Sequence, residues 1–296
     1  MRTLSPEFAG HLAGDSTTLC HCWRLTRRDG VVLGFTDHDR ELMLDGQLYL
    51  AGAGFEASTA SSESGLPAGA SDVRGGFSSE LITETDLLAG RYDGARVEVF
   101  AVNWANPEQH VLLRVEEIGE VTRSAQDFTA ELRPFTQRLQ QVQGRIYTRS
   151  CGAALGDKAC GLTLRPGIHI FAGTIAAVAS SSRLTVTLKA GPDAGAFARG
   201  ALRFAGGALK GITVDIDRHG VEGGQQVLDL WLPLSVLPFA GDAVELTVGC
   251  DKSAETCRSR FGNGLNFQGF PHMPGADFAY SYADRETAHD GSPLIP

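Results

Sequence analysis

Four of the six cysteines form two pairs, a pattern that can bind metal. Eight residues separate Cys151 from Cys160, six separate Cys250 from Cys257, and 89 residues lie between the pairs. We call these four residues the paired cysteines. Structural zinc usually takes cysteines about two to four residues apart, so the wider spacings here also suit a larger iron–sulfur cluster. Zinc, buried free thiols and two disulfides remain open on spacing alone.

Positive charge and glycine accompany the paired cysteines. Four cations lie close to them in the sequence, namely Lys158, Lys252, Arg258 and Arg260. Such neighbours favour the thiolate, which is the form that binds metal, over the thiol. Glycines at 152, 156 and 161 would let backbone N–H groups approach the sulfurs. These residues favour a thiolate-bound cofactor.

Two further groups carry reactive side chains. In an extended Asp37-His38-Asp39 segment the histidine would point away from both carboxylates, so we predict a polar turn capped by Asp37 rather than a metal or acid–base site. Cys20 and Cys22 would share one face of a strand, where we predict buried thiols. The chain contains no nucleophile elbow, phosphate-binding loop or zinc-protease helix motif, and we predict that it is not an enzyme.

The composition predicts a mainly β protein. A chain of 296 residues with 43% hydrophobic content can bury a core, and 36 glycines with only 12 prolines indicate many tight turns between short strands. We predict several small β-barrel or sandwich domains, a few short helices and an irregular lobe that carries the paired cysteines.

Turn signals and alternation divide the chain into three predicted regions. Residues 1–145 form an N-terminal β-rich region, and 168–248 contain regularly spaced strand-like runs typical of a small inserted barrel. Residues 146–167 and 249–296 form the cysteine-bearing lobe. Because the ends of a compact module usually lie close together, we expect the two cysteine pairs to meet.

Charge and hydropathy exclude two classes of partner. The formal net charge of −9 lacks the basic character that non-specific nucleic-acid binding requires. The longest apolar stretch, residues 228–240, is interrupted by two prolines and is too short to span a membrane. The N-terminus lacks the basic and apolar segments of a signal peptide, so we expect no secretion and no membrane span.

Two motifs resemble a known family. The segments GCDK (249–252), TCRSRFGN (256–263) and NFQGFPHMPG (266–275) resemble the cysteine-bearing region of phage tail-tip proteins, of which protein L of phage lambda is the best-known relative. The segment GFTDHD (34–39) resembles a signature of the tail-tip hub proteins of gene transfer agents and related prophages. In the lambda-like relatives we expect a shorter connection between the two cysteine pairs. By comparison, the 168–248 segment is an additional module inserted between the pairs.

This resemblance implies a function and a cofactor. It implies a structural hub in the tail tip or baseplate of a virion, assembled in the bacterial cytoplasm, with a [4Fe–4S] cluster ligated by the paired cysteines. It also implies a homotrimeric ring that joins the distal tail protein to the large, fibre-bearing tip protein that penetrates the cell. DNA would pass through this ring only in transit, which suits an acidic protein.

Two other functions are compatible with four cysteines. An iron–sulfur oxidoreductase would use the cluster for electron transfer, although the chain has no dinucleotide-binding fingerprint. A zinc-stabilised binding module would use the same thiolates for a single ion.

Overall fold

The computed structural model describes residues 4–51, 56–57, 71–76, 82–123, 127–140 and 144–273. Contacts divide the chain into two compact units, Met1–Val142 and Gln143–Pro296. The paired cysteines and the segment between them all belong to the second unit. The end of the predicted cysteine-bearing lobe, residues 274–296, lies outside the described residues.

The first unit is built mainly from one antiparallel sheet. Its elements are α1 (Pro6–Leu12), β1 (Leu19–Thr26), β2 (Val32–Thr36), β3 (Leu42–Leu44), β4 (Gln47–Tyr49), β5 (Glu56–Ala57), β6 (Ser71–Gly76), α2 (Glu84–Leu88), β7 (Arg96–Asn103), β8 (His110–Arg123), β9 (Asp127–Pro134) and α3 (Gln137–Gln140). The strand order in the seven-stranded sheet is β2-β1-β7-β8-β9-β6-β5, and β3 and β4 form a separate hairpin. The first helix begins where Ser5 accepts a hydrogen bond from the N–H of Phe8 and Pro6 occupies the first turn.

Strand β1 contributes to hydrophobic clusters on both sides of the sheet. Cys20 and Cys22 pack in a cluster with Tyr49 of the β3–β4 hairpin. Trp23 and Leu25 point the other way, into a larger cluster with residues of β2, β7, β8 and β9. Neighbouring side chains of a strand point to opposite faces of the sheet. The buried face of β1 changes at Trp23, so the first half of the strand packs in one core and the second half packs in the other.

The second unit contains a closed six-stranded barrel and the cysteine-bearing segments. Its elements are β10 (Ile170–Val178), β11 (Arg183–Leu188), β12 (Ala201–Phe204), β13 (Thr213–Glu222), β14 (Gln225–Leu230), β15 (Ala243–Thr247), α4 (Ala254–Ser259) and a 3-10 helix (Gly264–Asn266). The strand order around the barrel is β10-β11-β14-β13-β12-β15, so β15 pairs back with β10. The predicted mainly β fold, with a small barrel and short helices, is confirmed.

Side chains fill the interior of the barrel, and the barrel determines where the cysteine-bearing segments begin and end. Leu184, Leu202 and Leu246 are completely buried. Ile170 pairs with Thr247 across β10 and β15, and just beyond this pair the Val248 N–H donates to the His169 carbonyl oxygen over 2.9 Å. The chain therefore enters and leaves the barrel side by side, as the sequence predicts.

Candidate metal centre

The first cysteine pair lies in an irregular loop whose turns are held by Asp157. The Asp157 carboxylate accepts hydrogen bonds from the N–H groups of Cys160, at 2.6 Å, and Ala154, at 2.8 Å. These bonds, that to Cys160 first, lower the pKa of Asp157. Gly156 and Gly161 adopt left-handed φ angles of 82° and 65°, which L side chains rarely adopt. Gly156 and Asp157 thus shape the loop between Cys151 and Cys160, and Gly161 turns the chain directly after it.

The second pair follows directly from the barrel. Gly249 lies so close to the backbone of Ala198 that a Cβ atom at position 249 would overlap the Ala198 carbonyl oxygen. This close contact positions the start of the segment that carries Cys250. Helix α4 then presents Cys257, which is buried. Ser253 caps this helix by accepting a hydrogen bond from the Thr256 N–H over 3.1 Å.

The four paired cysteines line one cavity, which we call the thiol cavity. Its other lining residues are Ala153, Leu155, Leu162, Lys252, Ser253, Phe261, Asn263 and Asn266. All four paired cysteines are free thiols. Burial raises the pKa of the Cys257 thiol, and the neighbouring Cys151, Cys160 and Cys250 raise it further. The predicted ligands therefore come together although 89 residues separate the two pairs.

Hydrogen bonds across the thiol cavity join each cysteine of the first pair to the second segment. The Cys151 N–H donates to the Lys252 carbonyl oxygen over 2.9 Å, and the Lys252 ammonium donates to the Ala153 carbonyl oxygen. On the other side, the Asn263 amide donates to the Cys160 carbonyl oxygen over 2.7 Å. Protein hydrogen bonds thus hold the two segments in register.

Of the four cations that lie near the paired cysteines in the sequence, the structure places one in the lining of the thiol cavity. That residue is Lys252, whereas Lys158 is exposed and Arg258 donates to the Ala254 carbonyl oxygen over 3.4 Å. Arg260 instead donates to the carbonyl oxygens of Gly249 and Ala196, at 3.1 and 3.0 Å. Sequence proximity could not distinguish a side chain aimed at sulfur from one aimed at the backbone. Phe261, Asn263 and Asn266 line the cavity, and the only sequence signal for these residues was their place in the resembling motif.

The structure gives the Asp37-His38-Asp39 segment local and cross-strand partners. Asp37 accepts hydrogen bonds from the backbone N–H of His21, at 2.7 Å, and from its ring Nδ1, at 3.0 Å. The predicted local cap is therefore replaced by a bond to strand β1. The His38 ring accepts from the Arg40 N–H over 3.0 Å and packs on Trp104, with the ring centroids 5.0 Å apart.

The predicted burial of Cys20 and Cys22 is confirmed, with 6% and 0% of their surfaces exposed. The Cys20 thiol donates to the Val102 carbonyl oxygen over 3.6 Å. Its interaction with the neighbouring Cys22 thiol raises the pKa of Cys20, and burial raises this pKa further. The same interaction lowers the pKa of Cys22. Both cysteines remain free thiols in a hydrophobic core.

The His21–Asp37 pair gives a testable pH dependence. The hydrogen bond that His21 donates to the Asp37 carboxylate raises the pKa of His21. Burial opposes ionisation of Asp37, but the hydrogen bonds that Asp37 accepts from His21 outweigh burial and lower the pKa of Asp37. The contribution of His21 to stability is lost as pH rises through its raised pKa, and that of Asp37 as pH falls through its lowered pKa. The pair therefore stabilises the fold fully between the ordinary values of 3.8 and 6.5.

We expect Asp37→Asn to lower the pKa of His21 in an NMR titration. Asp39→Asn is the matched control, because Asp39 lies 3.1 Å from His38 rather than beside His21. An unchanged His21 pKa in Asp37→Asn would show that the pair does not interact in solution.

Within the described ranges, no three His, Cys, Asp or Glu side chains are grouped closely enough to hold one metal ion. None of the helices in the same part of the chain is long and apolar enough to cross a membrane.

The N-terminal half of the chain matches a protein-family model. Residues 5–163 match the model described as baseplate hub protein, N-terminal attachment domain. The chain belongs to the baseplate hub protein family. The match includes the GFTDHD segment and the first cysteine pair. The predicted tail-tip hub of phages and gene transfer agents is therefore confirmed, and its place is the tail tip of a virion.

Two further comparisons concern the rest of this hub protein. Residues 195–277, which include the second cysteine pair, match a phage conserved hypothetical protein family, BR0599. A solved chain described as part of the virion of a native gene transfer agent particle is similar, with 41% identity, a TM-score of 0.88 and coverage of 98% of this chain and 100% of that chain. At this coverage the barrel is common to both chains. No curated protein matches the hub protein.

Proposed function

We propose that this baseplate hub protein holds a [4Fe–4S] cluster in the thiol cavity and that the cluster is a structural cross-link. The carrying observation is that Cys151, Cys160, Cys250 and Cys257, from two distant segments, line one cavity as free thiols. Four thiolates are the usual ligand set of this cluster. Among the described residues, no carboxylate or imidazole side chain lines this cavity, so the four thiols are the groups there that can supply anionic ligands.

The spacing of the paired cysteines along the chain favours a cluster over a single zinc ion. Structural zinc usually takes cysteines about two to four residues apart, whereas eight and six residues separate the members of the two pairs here. A four-iron core needs its thiolates farther apart, one at each corner. The apolar walls, including Leu155 and Phe261, would limit access of water to it.

A cluster in this position would act on folding rather than on a substrate. When bound, it adds four strong bonds between segments that otherwise meet through hydrogen bonds. Because the ligands are assembled only in the folded protein, binding free energy becomes folding free energy. The residues of the protein orient the four thiols and exclude water; no further chemistry is required of a hub.

Anaerobic purification followed by iron, sulfide and zinc analysis tests this proposal. We expect about four irons and four sulfides per chain, as in a [4Fe–4S] cluster, with broad visible absorption. Stoichiometric zinc in a colourless protein would favour the zinc-stabilised module instead. A reversible redox cycle coupled to a substrate would favour the oxidoreductase.

We further propose that the hub is a homotrimeric ring between the distal tail protein and the large tip protein, through which DNA passes in transit. Support comes from the attachment-domain family match, the virion relative and the net charge of −9, which disfavours retention of DNA. Cryo-electron microscopy of the particle, with subunits counted by symmetry, tests this arrangement. A hub ring of another symmetry, or one without these neighbours, would contradict it.

A further inference from the structure

Asn263 contacts one cysteine of each pair. Its side-chain amide donates to the Cys160 carbonyl oxygen over 2.7 Å and lies 3.5 Å from the Cys160 sulfur, within reach of an N–H···S bond. Its backbone N–H donates to the Cys257 carbonyl oxygen over 2.8 Å, and its own carbonyl oxygen accepts from the Cys257 thiol over 3.3 Å. One residue thus connects two cysteines that are 97 positions apart in the numbering.

The orientation of the Asn263 amide is determined by its neighbour. Asn266 donates its side-chain N–H to the Asn263 Oδ1 atom over 2.8 Å. Because Oδ1 is thereby the acceptor, the NH₂ group must face Cys160. Space for this arrangement depends on Gly161, since a Cβ atom there would lie 3.3 Å from the Asn266 nitrogen.

We infer that Asn263 is a positioning residue that holds Cys160 and Cys257 in place and donates an N–H···S hydrogen bond to the Cys160 thiolate when the cluster is bound. This inference rests on the proposed function. A hydrogen bond to an ionised acceptor is stronger than one to a neutral thiol, so the bond would strengthen on ligation. Donors to the sulfurs stabilise the more negative, reduced state of a cluster. The backbone bond to Cys257 does not involve sulfur and would persist.

The test compares Asn263→Asp with Ser253→Asp in the anaerobically purified full chain. Aspartate at 263 keeps the size and the acceptor for Asn266 but replaces the donor to sulfur by a negative acceptor. Aspartate at 253 adds the same charge to the lining of the same cavity, can still cap α4, and leaves both Asn263 and Asn266 unchanged. We expect Asn263→Asp to lose iron to a chelator roughly 10 to 100 times faster than wild type, and to have a lower cluster midpoint potential. Ser253→Asp should show smaller changes in both.

Resonance Raman spectra in H₂O and D₂O report the N–H···S bond directly and need no variant that might misfold. We expect a deuterium shift of an Fe–S(Cys) stretching mode in wild type and in Ser253→Asp that is absent from Asn263→Asp. An iron-replete wild type without this shift, or equal iron loss from both variants, would overturn the role of Asn263 alone. A wild type without iron and sulfide would overturn the proposed cluster, and the inference with it.

Discussion

If the thiol cavity holds the proposed cluster, Cys257→Ser should lose iron and unfold the cysteine-bearing segments of the second unit. Cys257 is buried in the thiol cavity, where a serine hydroxyl is a much poorer ligand for iron than a thiolate. Loss of a structural metal site belongs to the few single changes that destabilise by more than about 4 kcal/mol. Iron content and thermal unfolding of the anaerobically purified protein measure this effect.

Cys20→Ser is the control for Cys257→Ser. Cys20 is also buried, with 6% of its surface exposed, but it packs in the sheet of the first unit with Cys22 and Tyr49. We expect this variant to keep its iron and to lose only about 1 kcal/mol of stability. An iron-replete Cys257→Ser protein would contradict the assignment of Cys257 as a ligand.

Gly249→Ala should destabilise the second unit by about 3 kcal/mol or more, the upper range for overpacked sites. The added Cβ would overlap the Ala198 carbonyl oxygen and lie 2.6 Å from its carbon, both of which are backbone atoms that cannot rotate away. The Gly249 N–H donates to the Ala196 carbonyl oxygen over 2.9 Å, so the glycine cannot move freely either. The strain would displace Cys250, the next residue. Urea unfolding and iron content measure the two consequences.

Gly152→Ala is the matched control, because Gly152 also adjoins a paired cysteine. Nothing lies within 4 Å of a Cβ atom at this position, and its φ is not left-handed. We expect a change within about 0.5 kcal/mol, as for ordinary surface substitutions. Equal effects of the two substitutions would mean that the close approach at Gly249 does not constrain the chain.

Local patterns in the sequence are sufficient to predict much of the second unit. Turn signals between alternating runs predict a barrel within residues 168–248, and a closed barrel spans Ile170–Thr247. The nearness of its two ends then predicts that the paired cysteines meet. These features follow from periodicity and from general properties of compact modules.

Other features depend on which distant residues meet, and no local pattern reports this. Asp37 bonds to His21 on a neighbouring strand rather than capping its own turn. The amide of Asn263 reaches Cys160 across 103 positions. Asparagine is common in turns, so a local interpretation of Asn263 is always available and conceals the long-range contact.

The pairing of β10 with β15 changes the entropy of building the thiol cavity. An unfolded connection of 89 residues would make the meeting of the two cysteine pairs costly, but Ile170 and Thr247 are already neighbours in the folded barrel. Compared with a turn of a few residues, the long flexible connection would cost about 2–3 kcal/mol more to close. Folding of the barrel removes this additional entropic cost, because it already brings the two ends of the connection together. Once the barrel has formed, assembly of the proposed cluster would have to order only two short loops, as if the four ligands came from one compact stretch of chain.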